Sequence, residues 1–179
     1  MVKLLKKSIG ILGGSFDPAH KGHYKISKIA IKKLNLNKVF WLVSKKNPFK
    51  KAPFYSLAQR ISKARIVTKG DKKIAVKYLD KIVGSSRSID LIKYVINENK
   101  QNDIYFIIGS DNLIQFHKWK SWKKIVKLVQ LIVFSRKGYD RKSRKSIVAK
   151  YLKKKIFFVN NKPITISSTK IKKELLKTN

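Results

Sequence analysis

Six short apolar runs, each followed by a stretch with helical spacing, constrain this chain more than any other feature. The runs are Ser8–Leu12, Lys38–Val43, Ile74–Tyr78, Ile104–Ile108, Leu131–Phe134 and Ile156–Val159. Several are almost continuously apolar, as strands buried on both faces are. Between them, apolar residues fall on one helical face: Ile26, Ile29, Ala30 and Leu34; then Leu57, Ile61 and Ala64; then Ile89, Ile92 and Ile96; then Ile125 and Leu128. Alternation of this kind predicts an α/β chain with a Rossmann-like, mainly parallel sheet and helices on both faces. With 179 residues and no linker or repeat, one domain spanning 1–179 is expected. In such sheets ligands bind beyond the carboxyl ends of the strands, so chemistry is sought just after each run.

Composition narrows the function. Forty-four Lys and Arg against nine Asp and Glu give a formal charge of +35, a field that gathers phosphorylated partners. Only six of these cations are Arg; the lysines are scattered as singles and pairs along solvent faces, which reads as compositional bias. The absence of cysteine excludes disulfides, thiol catalysis and Cys-based zinc sites. The glycine-broken start is too short for a signal core or a membrane span, so a cytoplasmic protein without membrane association is expected. Ten residues with a basic bias, Arg136 to Lys145, read as an exposed loop around Gly138.

Three segments carry chemistry. After the first run stand Gly13-Gly14-Ser15-Phe16-Asp17-Pro18-Ala19-His20-Lys21-Gly22-His23: a glycine turn, a loop, and a helix opening near Gly22. Paired glycines let backbone N–H groups approach a phosphate, and histidines three apart at a helix start face one anion as donors or as a charge. Near the far end, Ile166-Ser167-Ser168-Thr169-Lys170-Ile171-Lys172 opens a last helix from about Ser168, a second anion site of free N–H groups and hydroxyls. Between them lies Gly109-Ser110-Asp111-Asn112-Leu113, followed by Trp119 and Trp122 around Lys120.

Gly13 to His23 resembles the HxGH signature of the nucleotidyltransferase superfamily, and Ile166 to Lys172 resembles its ISSTxIR helix start, with Lys172 where arginine is usual. Asp111 and Trp119 lie in a segment similar to the GxDxL…W stretch of bacterial nicotinate-nucleotide adenylyltransferases. Ser86-Arg87-Ser88-Ile89-Asp90 resembles that family's SYTID segment, Asn47-Pro48-Phe49-Lys50 its PPHK-like turn, and Ser135-Arg136-Lys137-Gly138 its RPG loop.

The resemblance implies transfer of AMP from ATP to nicotinate mononucleotide, giving nicotinate adenine dinucleotide and pyrophosphate in NAD biosynthesis. It implies His20 and His23 as catalytic groups. Gly13, Gly14, Ser15, Phe16, Gly22, Gly109, Asp111, Arg136, Ser168, Thr169 and Lys172 would contact ATP. Lys50, Ser88, Trp119 and Lys120 would contact nicotinate mononucleotide. Trp119 would stack on the pyridine ring, and the helix start at Ser88 would meet the nicotinate carboxylate. Mg²⁺ would be held mainly by the ATP phosphates, with no protein-built metal site expected. His117 and Arg60 read as bystanders. Phosphopantetheine and nicotinamide mononucleotide are the alternative acceptors. A basic nucleic-acid-binding protein is the rival of another class, though no RNP, KH or zinc pattern supports it, and no specific nucleic-acid partner is expected.

Overall fold

The computed structural model describes residues 7–46, 52–161 and 166–177, apart from the Lys154 side chain. Six strands form one all-parallel sheet: β1 (Ser8–Gly14), β2 (Lys38–Val43), β3 (Ile74–Lys77), β4 (Asp103–Gly109), β5 (Gln130–Phe134) and β6 (Ile156–Val159). Their order is β3-β2-β1-β4-β5-β6. The order reverses between β1 and β4, which opens a crevice beyond their carboxyl ends. All six predicted runs are strands; β2 and β5 are almost wholly buried, while the edge strands β3 and β6 are only partly so.

Nine α-helices connect or follow the strands among the described residues: α1 (Lys21–Leu34), α2 (Leu57–Val67), α3 (Asp80–Val83), α4 (Ser88–Glu98), α5 (Ser110–Gln115), α6 (Trp122–Leu128), α7 (Asp140–Arg144), α8 (Ile147–Leu152) and α9 (Ser168–Leu175). Alternation along the strands divides the core in two. On one face Ile9, Ile11, Phe106 and Ile108 pack with Ile92 and Val95 of α4, Leu113 of α5, Ile125 of α6 and Val148 of α8. On the other, Leu12, Trp41 and Ile107 pack with Ala30 and Ile31 of α1 and Ala64 of α2. Helices therefore cover both faces, as the alternation predicts.

Two expectations are corrected. The stretch from Arg136 to Lys145 is not all loop: Asp140–Arg144 is the short helix α7 with Ser143 buried. Gly138, at φ 84°, makes the turn, the Arg136 N–H donates to Asp140 Oδ1, and Ser143 Oγ donates to the Asp140 carbonyl. Leu128 does not join the core. It ends α6 at 43% exposure, while Val129 beyond it is buried.

Candidate active site

Gly13 and Gly14 are the last residues of β1 and not a turn. Neither has a positive φ, and an added Cβ at either would sit 3.6 Å or more from its neighbours. Packing therefore does not demand glycine there. What the missing side chains leave is open backbone at the strand end, which close approach of a phosphate requires.

The chain then turns through Phe16, a non-glycine residue at φ 47°. Such a conformation costs on the order of 1 kcal/mol and persists where packing over-determines it. Here the ring is buried, stacked on Trp41 with centroids 5.0 Å apart, and set against His23 at 4.9 Å. Phe16 thus spends its side chain on the core and offers a ligand only its backbone.

His20 and His23 open α1 together. His20 is the N-cap: its Nδ1 accepts from the Gly22 N–H at 3.1 Å, and His23 Nδ1 accepts from the His20 N–H at 3.3 Å, a capping box made of imidazoles. An accepting Nδ1 puts the ring proton on Nε2 in both residues. The rings lie 3.9 Å apart. Burial, helped by the Arg136 cation, pushes the His20 pKa down to about 4. At neutral pH His20 is therefore uncharged, which favours the donor role over that of a charge at this residue.

This has a consequence for stability. Between pH 6.5 and about 4 the unfolded chain binds a proton at His20 that the folded chain does not, so stability falls as pH drops through that window. Urea titrations across it should show the decline. His20→Asn keeps an N-capping oxygen while removing the titration, and should flatten that limb. A slope as steep in the variant as in the parent protein would show that His20 is not its source.

At the ends of β4 and β5, Asp111 Oδ2 pairs with Arg136 Nη1 at 2.6 Å, and the Arg136 N–H donates to Ser110 Oγ. A Cβ on Gly109 would collide with the Asp111 carboxylate, which would have to swing away to admit it. Helix α9 docks on the β1–α1 loop. Ser168 Oγ donates to the Pro18 carbonyl at 2.9 Å, and Lys172 Nζ reaches Asp17 Oδ2 at 2.9 Å. Ser167, the N-cap, accepts from the Lys170 N–H, and Thr169 is exposed. Burial would raise the pKa of Asp17, but N–H donation from Phe54 and Tyr55 and the Lys172 ammonium outweigh it and hold the carboxyl below its usual range.

Lys172 is thus committed to tethering α9. Lys172→Met, which keeps the stem and deletes the charge, should raise the KM for ATP several-fold with a smaller change in kcat. An unchanged KM would detach Lys172 from triphosphate binding.

The structure gathers Gly13, Gly14, Ser15, His20, Gly22, His23, Gly109, Asp111, Arg136, Ser168 and Lys172 around the β1/β4 crevice and the loop beside it. The other sequence-derived positions are less tightly joined to it. Ser88 is the first residue of α4, and Lys120 is exposed. Trp119 is not on a helix with Trp122: it follows a 3₁₀ turn over Phe116–Lys118 and lies against Phe116 and Phe106, half-buried, whereas Trp122 starts α6 and meets Tyr151. Lys50 lies outside the described residues, as does the rest of 47–51.

Arg60, read as a bystander to substrate, is a buried structural residue. It is 1% exposed, and its guanidinium donates to four backbone carbonyls: Ser15 and Ser44 at 2.7 Å, Lys45 at 3.0 Å and Tyr55 at 3.2 Å. Burial lowers its pKa, opposed by the charges of Asp17 and Asp80. One side chain thereby joins the exits of β1 and β2 to the start of α2. The signal was its position: three residues after Leu57 and four before Ala64, Arg60 shares the apolar face of α2.

A family model described as cytidylyltransferase-like matches residues 11–174. A probable nicotinate-nucleotide adenylyltransferase of Pelagibacter ubique (strain HTCC1062) is 47% identical over 169 residues, 94% of this chain and 93% of that one. The chain belongs to the cytidylyltransferase-like family, among the nicotinate-nucleotide adenylyltransferases. Another member, from Bradyrhizobium sp. (strain ORS 278), is 39% identical over 129 residues, 72% of this chain and 67% of its own. Among solved structures, the Plasmodium falciparum nicotinic acid mononucleotide adenylyltransferase complexed with NaAD superposes with a TM-score of 0.75 at 21% identity, over 93% of this chain and 83% of that one. The family's fold is the one described above. Among the described residues no helix is long and apolar enough to cross a membrane.

Proposed function

We propose that this chain transfers the adenylyl group of ATP to the 5′-phosphate of nicotinate mononucleotide in the cytoplasm. A phosphate oxygen of the acceptor attacks the α-phosphorus in line; the bond from the α-phosphorus to the bridging oxygen breaks, and pyrophosphate leaves with the electron pair. The acceptor is already ionised, so neither a base nor a covalent enzyme intermediate is required. Catalysis consists of alignment and of donors aimed at the charge that develops.

The observation that carries this reading is the pair of imidazoles, 3.9 Å apart, each anchored through Nδ1 at the start of α1 and beside open strand-end backbone. His20 and His23 donate from Nε2 to the α-phosphate and the departing oxygen. The N-terminus of α9, with Ser168 and Thr169 and with Lys172 holding the helix to Asp17, receives the β- and γ-phosphates, while Arg136 and Asp111 face the nucleoside side. Ser88, Trp119, Lys120 and Lys50 take the acceptor. Mg²⁺ supplies charge neutralisation when it arrives with the ATP phosphates. Asp17 and Asp111 are already paired with Lys172 and Arg136, so they form no ready donor set for it, and no step is routed through the metal.

Pyrophosphate release with Mg-ATP and, in parallel, nicotinate mononucleotide, nicotinamide mononucleotide or phosphopantetheine tests the reading. Selective turnover of the first supports it. Preference for either of the others would keep the ATP side and discard the acceptor roles of Ser88 and Trp119. Silence with all three would leave the +35 charge and nucleic acid as the next subject.

A further inference from the structure

Asp80 is a buried acid that the proposed chemistry does not use. It begins α3, is 7% exposed, and lines a shallow cleft beyond β2 and β3 with Lys45, Tyr78, Ser85 and Ser86. Its Oδ2 accepts the Lys45 N–H at 2.9 Å and the Ser86 hydroxyl at 2.6 Å, the short distance of a charge-assisted bond. The Lys45 peptide is thus held on both sides, since its carbonyl accepts from Arg60. On the far side, Ser85 Oγ donates to Asp90 Oδ2 and accepts from the Arg87 N–H. The loop gripped by these bonds, Ser85-Ser86-Arg87, runs directly into Ser88 at the start of α4.

We propose that Asp80 is a positioning residue for the acceptor, holding the Ser86–Ser88 helix entry in fixed relation to the exit of β2. The proposal rests on the reading of Ser88 as part of the acceptor site. Two features favour a positioning role over one of stability alone. The carboxylate links the exit of β2 to the loop entering α4 and not the elements of a core. Its other oxygen, Oδ1, is buried with no hydrogen-bond partner among the described residues, an expense that a group selected only for stability avoids. Further along, Arg60 connects the same Lys45 peptide to Tyr55, and the Tyr55 N–H meets Asp17, the partner of Lys172. A line of charge and backbone, with Asp80, Arg60 and Asp17 as its buried members, thereby joins the loop before Ser88 to helix α9.

Asp80→Asn, Ser86→Ala and Ser86→Thr provide the test, with each substrate varied separately and hydrogen exchange followed over residues 85–91. Asp80→Asn should raise the KM for nicotinate mononucleotide about tenfold, and Ser86→Ala by a few-fold, with kcat and the KM for ATP within about twofold of the parent. Ser86→Thr, which restores the hydroxyl, should restore the KM. Exchange at 85–91 should quicken in Asp80→Asn and Ser86→Ala and not at 20–24. KM values for both substrates rising together, a fall in kcat alone, or unchanged exchange at 85–91 would each overturn the proposal. If the parent protein does not turn over nicotinate mononucleotide, the acceptor reading fails separately, and the exchange measurement still decides whether Asp80 positions this helix entry. Because Ser86 is exposed, its variants keep the test available should Asp80→Asn fail to fold.

Discussion

His23→Ala is expected to lower kcat for adenylyl transfer by about a hundred- to a thousandfold, the usual cost of removing one preorganised donor from a developing oxyanion. The expectation rests on rigidity. His23 is fixed through Nδ1 by the His20 N–H and flanked by Phe16 and Trp41, with ring centroids 4.9 and 5.9 Å away. A donor held so firmly needs no reorganisation at the moment of reaction. The ring is also only half of a capping box, and His20 still caps Gly22 without it, so α1 should persist. Steady-state rates at saturating ATP and acceptor provide the check, with circular dichroism confirming the fold. A parent-like kcat would remove His23 from charge stabilisation, whatever happened to KM.

Arg60→Met is expected to cost about 3–5 kcal/mol of stability, since it leaves four carbonyls without their donor and removes a buried charge that faces Asp17 and Asp80. For a chain of this length that corresponds to a fall of roughly 10 °C in Tm. Arg60→Lys should recover only part, because an ammonium cannot span carbonyls that a planar fork meets in several directions. Urea unfolding of the three proteins measures the loss. A change below about 1 kcal/mol for Arg60→Met would mean that the loops are held by other contacts.

The sheet was legible because strands buried on both faces must be continuously apolar, and β2 and β5 have no other reading. Gly13 to His23 was legible because its chemistry is local: the capping box of His20 and His23 closes within four residues. Arg60, Asp17 and Asp80 were not. Their partners are mainly backbone atoms tens of residues away, and a carbonyl carries no side-chain signature in sequence. Lys172 illustrates the middle case. Its place in a helix start was visible, but its commitment to Asp17 appears only once the fold brings residues 155 positions apart into contact. Trp119 and Trp122 stand three apart but do not share a helix, because a turn over Phe116–Lys118 precedes Trp119, a break that spacing alone cannot show.

The docking of α9 on the Asp17–Pro18 loop has a consequence for biosynthesis. The ribosome delivers the sheet strand by strand, and both imidazoles precede five of the six strands, yet Ser168 and Lys172 emerge only after all six. Until they do, the nascent chain lacks part of the site proposed for the triphosphate, and closing that contact bridges 150 residues or more of chain. A product cut short before Ser167 would retain all six strands and lack these contacts, so competence to react is withheld until α9 has emerged.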